Sequence, residues 1–399
     1  MPLSDRESEL AKGIAGREGA LLEDLRRLVA IPTGGGHAPG LDETRGVLTA
    51  RLAALGARVE LVPGSPRPSW LHGERAERTI PPTAVCLRPS RTTRTRLLLS
   101  GHLDTVHDPR GSFDRLTVSP DGKTATGPGV VDMKGGLVIA VHALEALAAA
   151  GVEVHWTFVL NSDEETGSYH SEAALRAVAR QADLGLVLEP AMPNGGLVVD
   201  RPGSGQFMIE TRGRAAHVGR DFAAGVSAVN ALATAVLEVG KLADPSRGTI
   251  VNVGPLEGGV ATNVVPDRAR AWGNVRFKTP DLGRELEARV QALATPGEAL
   301  PATKVFTSFN RPAKPLTPSV QKLADAARSA AEDLGQKLPF GATGGVCDGN
   351  ILQDAGLPAI DTLGVRGGGL HTPEEWIEIP SLVERCQLLA VLMARLGGG

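Results

Sequence analysis

The chain has 399 residues, room for two or three domains. With 42% hydrophobic residues but only 3% aromatic ones, its core must be built mainly from Leu, Val and Ala. A formal net charge of -3 argues against nucleic acid as the main partner.

In chain order, residues 5–30 read as a helix ended by Ile31-Pro32-Thr33, and 41–55 as a second helix with Gly56 near its end. The stretch 64–96 is rich in Pro, Arg and Thr and receives no assignment as a whole, save Leu97–Leu99 just beyond it as a short strand. A helix over 136–150, a strand over 154–160, a helix over 171–180 and a strand over 184–188 follow. This alternation predicts an α/β layer on a largely parallel sheet with helices on both faces. The texture changes near residue 200. Strands are predicted at 206–212, 249–254, 269–277 and 304–309, with helices at 222–242 and 282–294 among them. Helices at 317–334 and 381–396 resume the first texture. The expectation is therefore a catalytic α/β domain over 1–200 and 312–399, with a smaller α+β domain inserted over 201–311.

Three widely spaced cysteines, Cys86, Cys347 and Cys386, do not make a disulfide framework and fit a reducing compartment. The N-terminus lacks the apolar stretch of a secretory signal. The longest apolar-rich run, Leu137–Val152, carries His142 and Glu145 and is too short and polar to span a membrane. These features predict a cytoplasmic protein with neither membrane nor nucleic-acid partner.

The chemistry-bearing residues collect at predicted strand ends and glycine loops. Leu97–Asp104 ends a strand at Gly101 and presents His102 and Asp104, a pattern that suits a metal ligand and a carboxylate on its other nitrogen, or a satisfied histidine. Asp132 lies in the glycine loop Gly127–Gly136 just before a helix, as a ligand or as an N-cap. Asp163, Glu164 and Glu165 are three adjacent carboxylates after an apolar strand; they call for a cation, or form an acidic surface loop. Glu189 closes another apolar strand, and His371 sits in the loop Gly367–Glu374. Two His and three Asp/Glu as ligands, with one extra Glu, suit two zinc ions with mixed nitrogen and oxygen ligands. No G-x-S-x-G elbow and no H-E-x-x-H motif occurs, which disfavours a serine hydrolase and a single-zinc protease.

Six segments in order, SGHLDTV (100–106), GPGVVDMKGG (127–136), NSDEETGS (161–168), LEP (188–190), GRAAHVG (213–219) and GGGLHTP (367–373), resemble the dinuclear zinc metallopeptidases of the M20 clan. The resemblance covers essentially the whole chain from about residue 20. It implies a catalytic α/β domain plus a smaller domain that makes a homodimer. It further implies His102 and Glu189 on one Zn2+, Glu165 and His371 on a second, and Asp132 bridging, with Co2+ or Mn2+ able to substitute. Asp104 would orient His102, and Glu164 would be the general base. His217 would reach the partner's site, and Asn263, Arg276 and Arg311 would bind substrate, the guanidinium fork suiting a carboxylate. The segment TGGVCDGN (343–350) resembles a loop near the active site; Cys347 there reads as a small buried residue. The expected activity is hydrolysis of an amide in a short peptide or small molecule, by a carboxypeptidase of glutamate-like or broader specificity. An N-acyl amino acid deacylase and a non-catalytic metal-dependent binding protein are the alternatives.

Overall fold

Leu97, Leu98 and Leu99 are all fully buried, because the strand Arg96–His102 lies in a sheet covered on both faces. Leu97 and Leu99 pack toward the helices Gly135–Ala149 and Pro380–Gly397, and Leu98 toward Glu172–Ala179 and Asp348–Asp354. Each such leucine contributes roughly 1.5–3 kcal/mol of burial. The computed structural model describes residues 2–73, 79–297 and 299–397.

The central sheet has six strands in the order Arg58–Val62, Thr83–Arg88, His155–Asn161, Arg96–His102, Leu184–Val187 and Ala359–Ile360. Thr83–Arg88 runs against its five companions, so the sheet is largely parallel. The fold is the α/β architecture expected, with three differences in detail. The predicted helix over 5–30 is two helices, Asp5–Ala15 and Glu18–Val29, because Arg17 leaves helical geometry (φ -102°, ψ 9°). The strands Arg58–Val62 and Thr83–Arg88 were not predicted: the first is a sheet edge with Leu61 half exposed, and no helix separates the two to give the alternating signal. Within 64–96, the residues 64–73 cross to the smaller domain, and residues 74–78 lie outside the described ones.

The smaller unit is a four-stranded antiparallel sheet in the order Thr249–Gly258, Arg268–Phe277, Gly203–Arg212 and Ala302–Arg311. It carries the helices Ala228–Gly240 and Pro280–Gln291. Phe207, Ile209, Ala271 and Val275 share a core with Leu232, Val239, Leu286 and Val290 from those helices. The alternate residues Ser204, Met208, Trp272, Arg276 and Phe306 face the other way. The chain passes between the two units at Arg201 and Lys314, whose backbones exchange hydrogen bonds of 3.0 Å in both directions. The buried Asp361 ties that crossing to the catalytic domain: Arg201 donates to it at 2.8 and 3.0 Å, and Lys314 Nζ stands 3.3 Å away.

No helix among the described residues is long and apolar enough to cross a membrane. Cys86, Cys347 and Cys386 are buried and free.

Candidate active site

Parallel register gathers the first ligands. His102 pairs in register with Asn161, so the acidic run 163–165 emerges beside it. On the other flank Ser100 pairs with Val187, and Leu188 N–H donates to the Ser100 carbonyl at 3.1 Å, which brings Glu189 level with His102. Three strand ends thus deliver an imidazole and three glutamates to one edge of the sheet, where ligands of α/β folds collect. Gly136 permits this packing: a Cβ there would stand 2.3 Å from the Leu188 carbonyl oxygen.

Two loops complete the cluster. Asp132 is no N-cap. Its φ of -117° and ψ of 93° are non-helical, and the helix begins at Gly135. Its carboxylate faces two histidines instead, with His102 Nε2 at 3.2 Å and His371 Nε2 at 3.6 Å. His371 Nε2 lies 3.3 Å from Glu165 Oε2. His371 holds φ at 63°, in the left-handed region that a non-glycine residue enters at a cost of about 1–3 kcal/mol. Such strain persists where the surroundings fix the side chain for a purpose.

This donor set fits a metal. His102 Nδ1 donates to the Asp104 backbone carbonyl at 2.9 Å, so in the neutral ring the Nε2 lone pair faces the Asp132 carboxylate. Two acceptors 3.2 Å apart require a proton or a cation between them. Glu165 Oε1 is buried without a hydrogen-bond partner among the described residues. Donor atoms of His102, Asp132 and Glu165 all lie within 4.8 Å of one another. Burial opposes charge on Asp132, but the His102 and His371 imidazoles beside it hold its carboxyl below the usual range. Burial, then the nearby Asp132 and Glu164 carboxylates, push Glu189 well above its ordinary value. An excess of buried anions of this kind is relieved by bound cations.

Asp104, expected to orient His102, meets its ring chiefly through the backbone carbonyl. Its carboxylate lies 3.5 Å from His102 Nδ1 and accepts the backbone N–H groups of Glu164 at 3.2 Å and Glu165 at 2.9 Å. It therefore fixes the turn that aims two neighbouring glutamates in different directions. Glu164 is buried, and burial pushes its carboxyl up to about 8 while the Arg311 guanidinium pulls it back.

Arg311, expected among the substrate residues, lies beside Glu164. It is buried, its Nη2 stands 2.9 Å from Glu164 Oε1, and it donates to the Glu164 carbonyl and Ser168 Oγ at 2.7 Å. Asp348 lies 3.8 Å beyond, holding Ser168 Oγ and Asn161 Nδ2. Arg276 is half-buried, donates to Ser204 Oγ and has no carboxylate partner among the described residues. Both guanidiniums flank Ser204 in register, on one face of the smaller sheet. His217 and Asn263 are exposed and adjacent on the paired segments Ala216–His217 and Val264–Val265, where the Asn263 carbonyl accepts from Val218 N–H at 3.0 Å. The only hydrogen bond of the His217 ring among the described residues comes from Gly219 N–H. Cys347 is the buried N-cap of Asp348–Asp354, its Sγ accepting from Gly349 N–H at 3.3 Å.

Sequence reasoning missed Glu375, four residues after His371. It is buried and accepts from the backbone N–H groups of Gly129, Val131 and Asp132 at 3.0, 2.9 and 3.0 Å. His107 Nε2 stands 2.5 Å from Oε2, the oxygen that the Gly129 N–H also reaches. One carboxylate thus locks the loop bearing Asp132 to the loop bearing His371. Its neighbour Glu374 is exposed, so no sequence signal separates the two. Glu375→Gln puts an NH2 group against these donors. Metal titration of that variant should show affinity weakened by roughly 10- to 100-fold, the usual cost of losing such support. Affinity equal to that of the unaltered chain would show that the ligands hold themselves.

The profile of peptidase family M20/M25/M40 matches residues 98–395, a span that contains every ligand candidate. The chain belongs to this family. The M20 chain is 28% identical over 403 residues to carboxypeptidase G2 of Pseudomonas sp., covering 99% of this chain and 93% of that one. It is 31% identical over 321 residues to a succinyl-diaminopimelate desuccinylase of Methylorubrum extorquens, covering 72% and 79%. A dinuclear metal binding M20 peptidase of Bacillus subtilis shares the fold, with a TM-score of 0.65 at 14% identity over 96% of this chain and 99% of that one. The M20 chain is accordingly a hydrolase of a metal-dependent family, and it has the catalytic α/β domain and the smaller α+β domain that its fold class implies.

Proposed function

We propose that this M20 chain is a two-zinc carboxypeptidase that cleaves an amide next to a free carboxylate, working as a homodimer. In this reading His102 and Glu189 would hold one ion and Glu165 and His371 the other, with Asp132 placed to serve both. Bound zinc would supply Lewis acidity toward the scissile carbonyl and the attacking water. Co2+ or Mn2+ would serve the same ligands.

The observation that carries the reading is the split between neighbours: Glu165 meets His371 and shares the donor group of His102 and Asp132, while the buried Glu164 carboxylate is paired with Arg311. Glu164 takes the proton of the attacking water at its free carboxylate edge and returns it to the leaving amine. Arg276 receives the substrate carboxylate, since it has a fork of donors and no anion of its own. His217, exposed beside Asn263, donates to the oxyanion in the partner's site. Arg311 supports the base rather than the substrate.

An N-acyl amino acid deacylase is a second reading, favoured by the desuccinylase relatives, and it uses the same groups. Both readings require the free carboxylate. An N-acyl amino acid should therefore exceed its carboxamide in kcat/KM by roughly 100-fold or more, because the amide leaves Arg276 unpaired. Arg276→Ala should remove most of that preference. Equal rates on acid and amide in the unaltered chain would overturn the reading.

A further inference from the structure

A cavity of about 970 Å³ opens onto Asp104 and Glu165, and one wall of it is the segment 65–71. Pro66, Pro68, Leu71 and Val106 give that cavity a mainly apolar surface. The wall is anchored at both ends. Ser65 N–H donates to the His170 carbonyl at 3.1 Å, and the Gly64 backbone passes so close that a Cβ would stand 2.1 Å from the His170 ring. At the far end the Trp70 carbonyl accepts the Trp272 indole N–H at 2.6 Å, and the Trp70 ring stacks on Phe306 with centroids 6.2 Å apart. The Arg67 guanidinium turns back to donate to the His72 carbonyl at 2.9 Å. The wall is thus a braced, mainly apolar surface, with the Arg67 guanidinium tied to its own segment.

Its distance from the guanidinium is set by the smaller sheet. Trp272 and Arg276 lie on one strand and one face, four residues apart, which is roughly 13 Å. Neither Arg276 nor Ser204 lines the cavity. A substrate whose carboxylate meets Arg276 and whose scissile carbonyl lies at the ligand cluster therefore leaves this cavity for the acyl side. We propose that the braced segment 65–71 forms an acyl-side specificity pocket selecting apolar acyl groups of aryl or medium-chain size. The inference rests on the amide-hydrolase reading given above.

One amino acid carrying acetyl, hexanoyl, benzoyl or succinyl groups tests it, both by kcat/KM and by Kd on Glu164→Gln protein. Benzoyl and hexanoyl compounds should exceed the acetyl compound by roughly 10- to 100-fold in each measure, the range that apolar pockets deliver. Leu71→Ala, and separately Val106→Glu at a 41% exposed position, should each cut the benzoyl-to-acetyl ratio about tenfold. A ratio within one preparation is insensitive to the fraction of folded protein. A flat series, a preference for succinyl, or an unchanged ratio in both variants would overturn the pocket while leaving amide hydrolysis intact. No turnover together with the apolar order in Kd would support the pocket and overturn the hydrolase reading.

Discussion

Glu164→Gln should lower kcat by roughly two to four decades, the usual contribution of a positioned general base. The substitution keeps size and polarity but removes the acceptor for the water's proton. Arg311 Nη2 still finds an oxygen at the position it now meets at 2.9 Å, and the Glu164 N–H still donates to Asp104, so the turn should hold. Metal content should stay close to that of the unaltered chain, because the Glu164 carboxylate is paired with Arg311 rather than with the ligand residues. Both are read from one preparation, by steady-state kinetics and by metal analysis after gel filtration. A variant that loses metal yet keeps its rate would mean that Glu164 and Glu165 exchange roles.

Glu164→Ala and His217→Ala proteins should each be nearly inactive, the second by about two to three decades as an oxyanion donor is lost. Unfolded together and allowed to re-pair, they should recover activity if each site draws His217 from the partner. Random pairing makes about half the dimers mixed, and each mixed dimer has one intact site of two, giving roughly one quarter of unaltered activity. The exposure of His217 motivates this test: its ring meets the N–H of Gly219 and stands at the surface of the smaller sheet unit. If His217 served its own chain, every site in the mixture would carry one lesion and the mixture would stay as inactive as its parents. The same experiment reports on assembly, since a chain that remains monomeric on refolding cannot complement.

Much of this was legible in the sequence. Apolar runs that end in His102, Glu164-Glu165 and Glu189 announce strands whose carboxyl ends carry polar groups, and buried strands with both faces covered write themselves as continuous Leu and Val. The glycines around Asp132 and His371 announce loops. These signals are local, so a linear reading can find them. The edge strand Arg58–Val62 gave none, since its half-exposed pattern is that of many loops.

What the tertiary structure decided is how each polar group is occupied. From sequence, Arg276 and Arg311 are equivalent forks; in the fold one is buried against Glu164 and Ser168 while the other donates to Ser204 and meets no carboxylate among the described residues. Asp104 looks like a partner of His102, yet its carboxylate chiefly holds the Glu164–Glu165 backbone. Glu375 and Glu374 are indistinguishable neighbours, and only the first enters the loop around Asp132. The unassigned segment 64–73 becomes a cavity wall because Trp272 and Phe306, more than two hundred residues away, hold Trp70 in place. Residue type and spacing determine which groups can ligate, donate or accept. Which partner each one takes depends on distances across the fold, because a hydrogen bond is lost within about one ångström of separation, and sequence order carries no such distance.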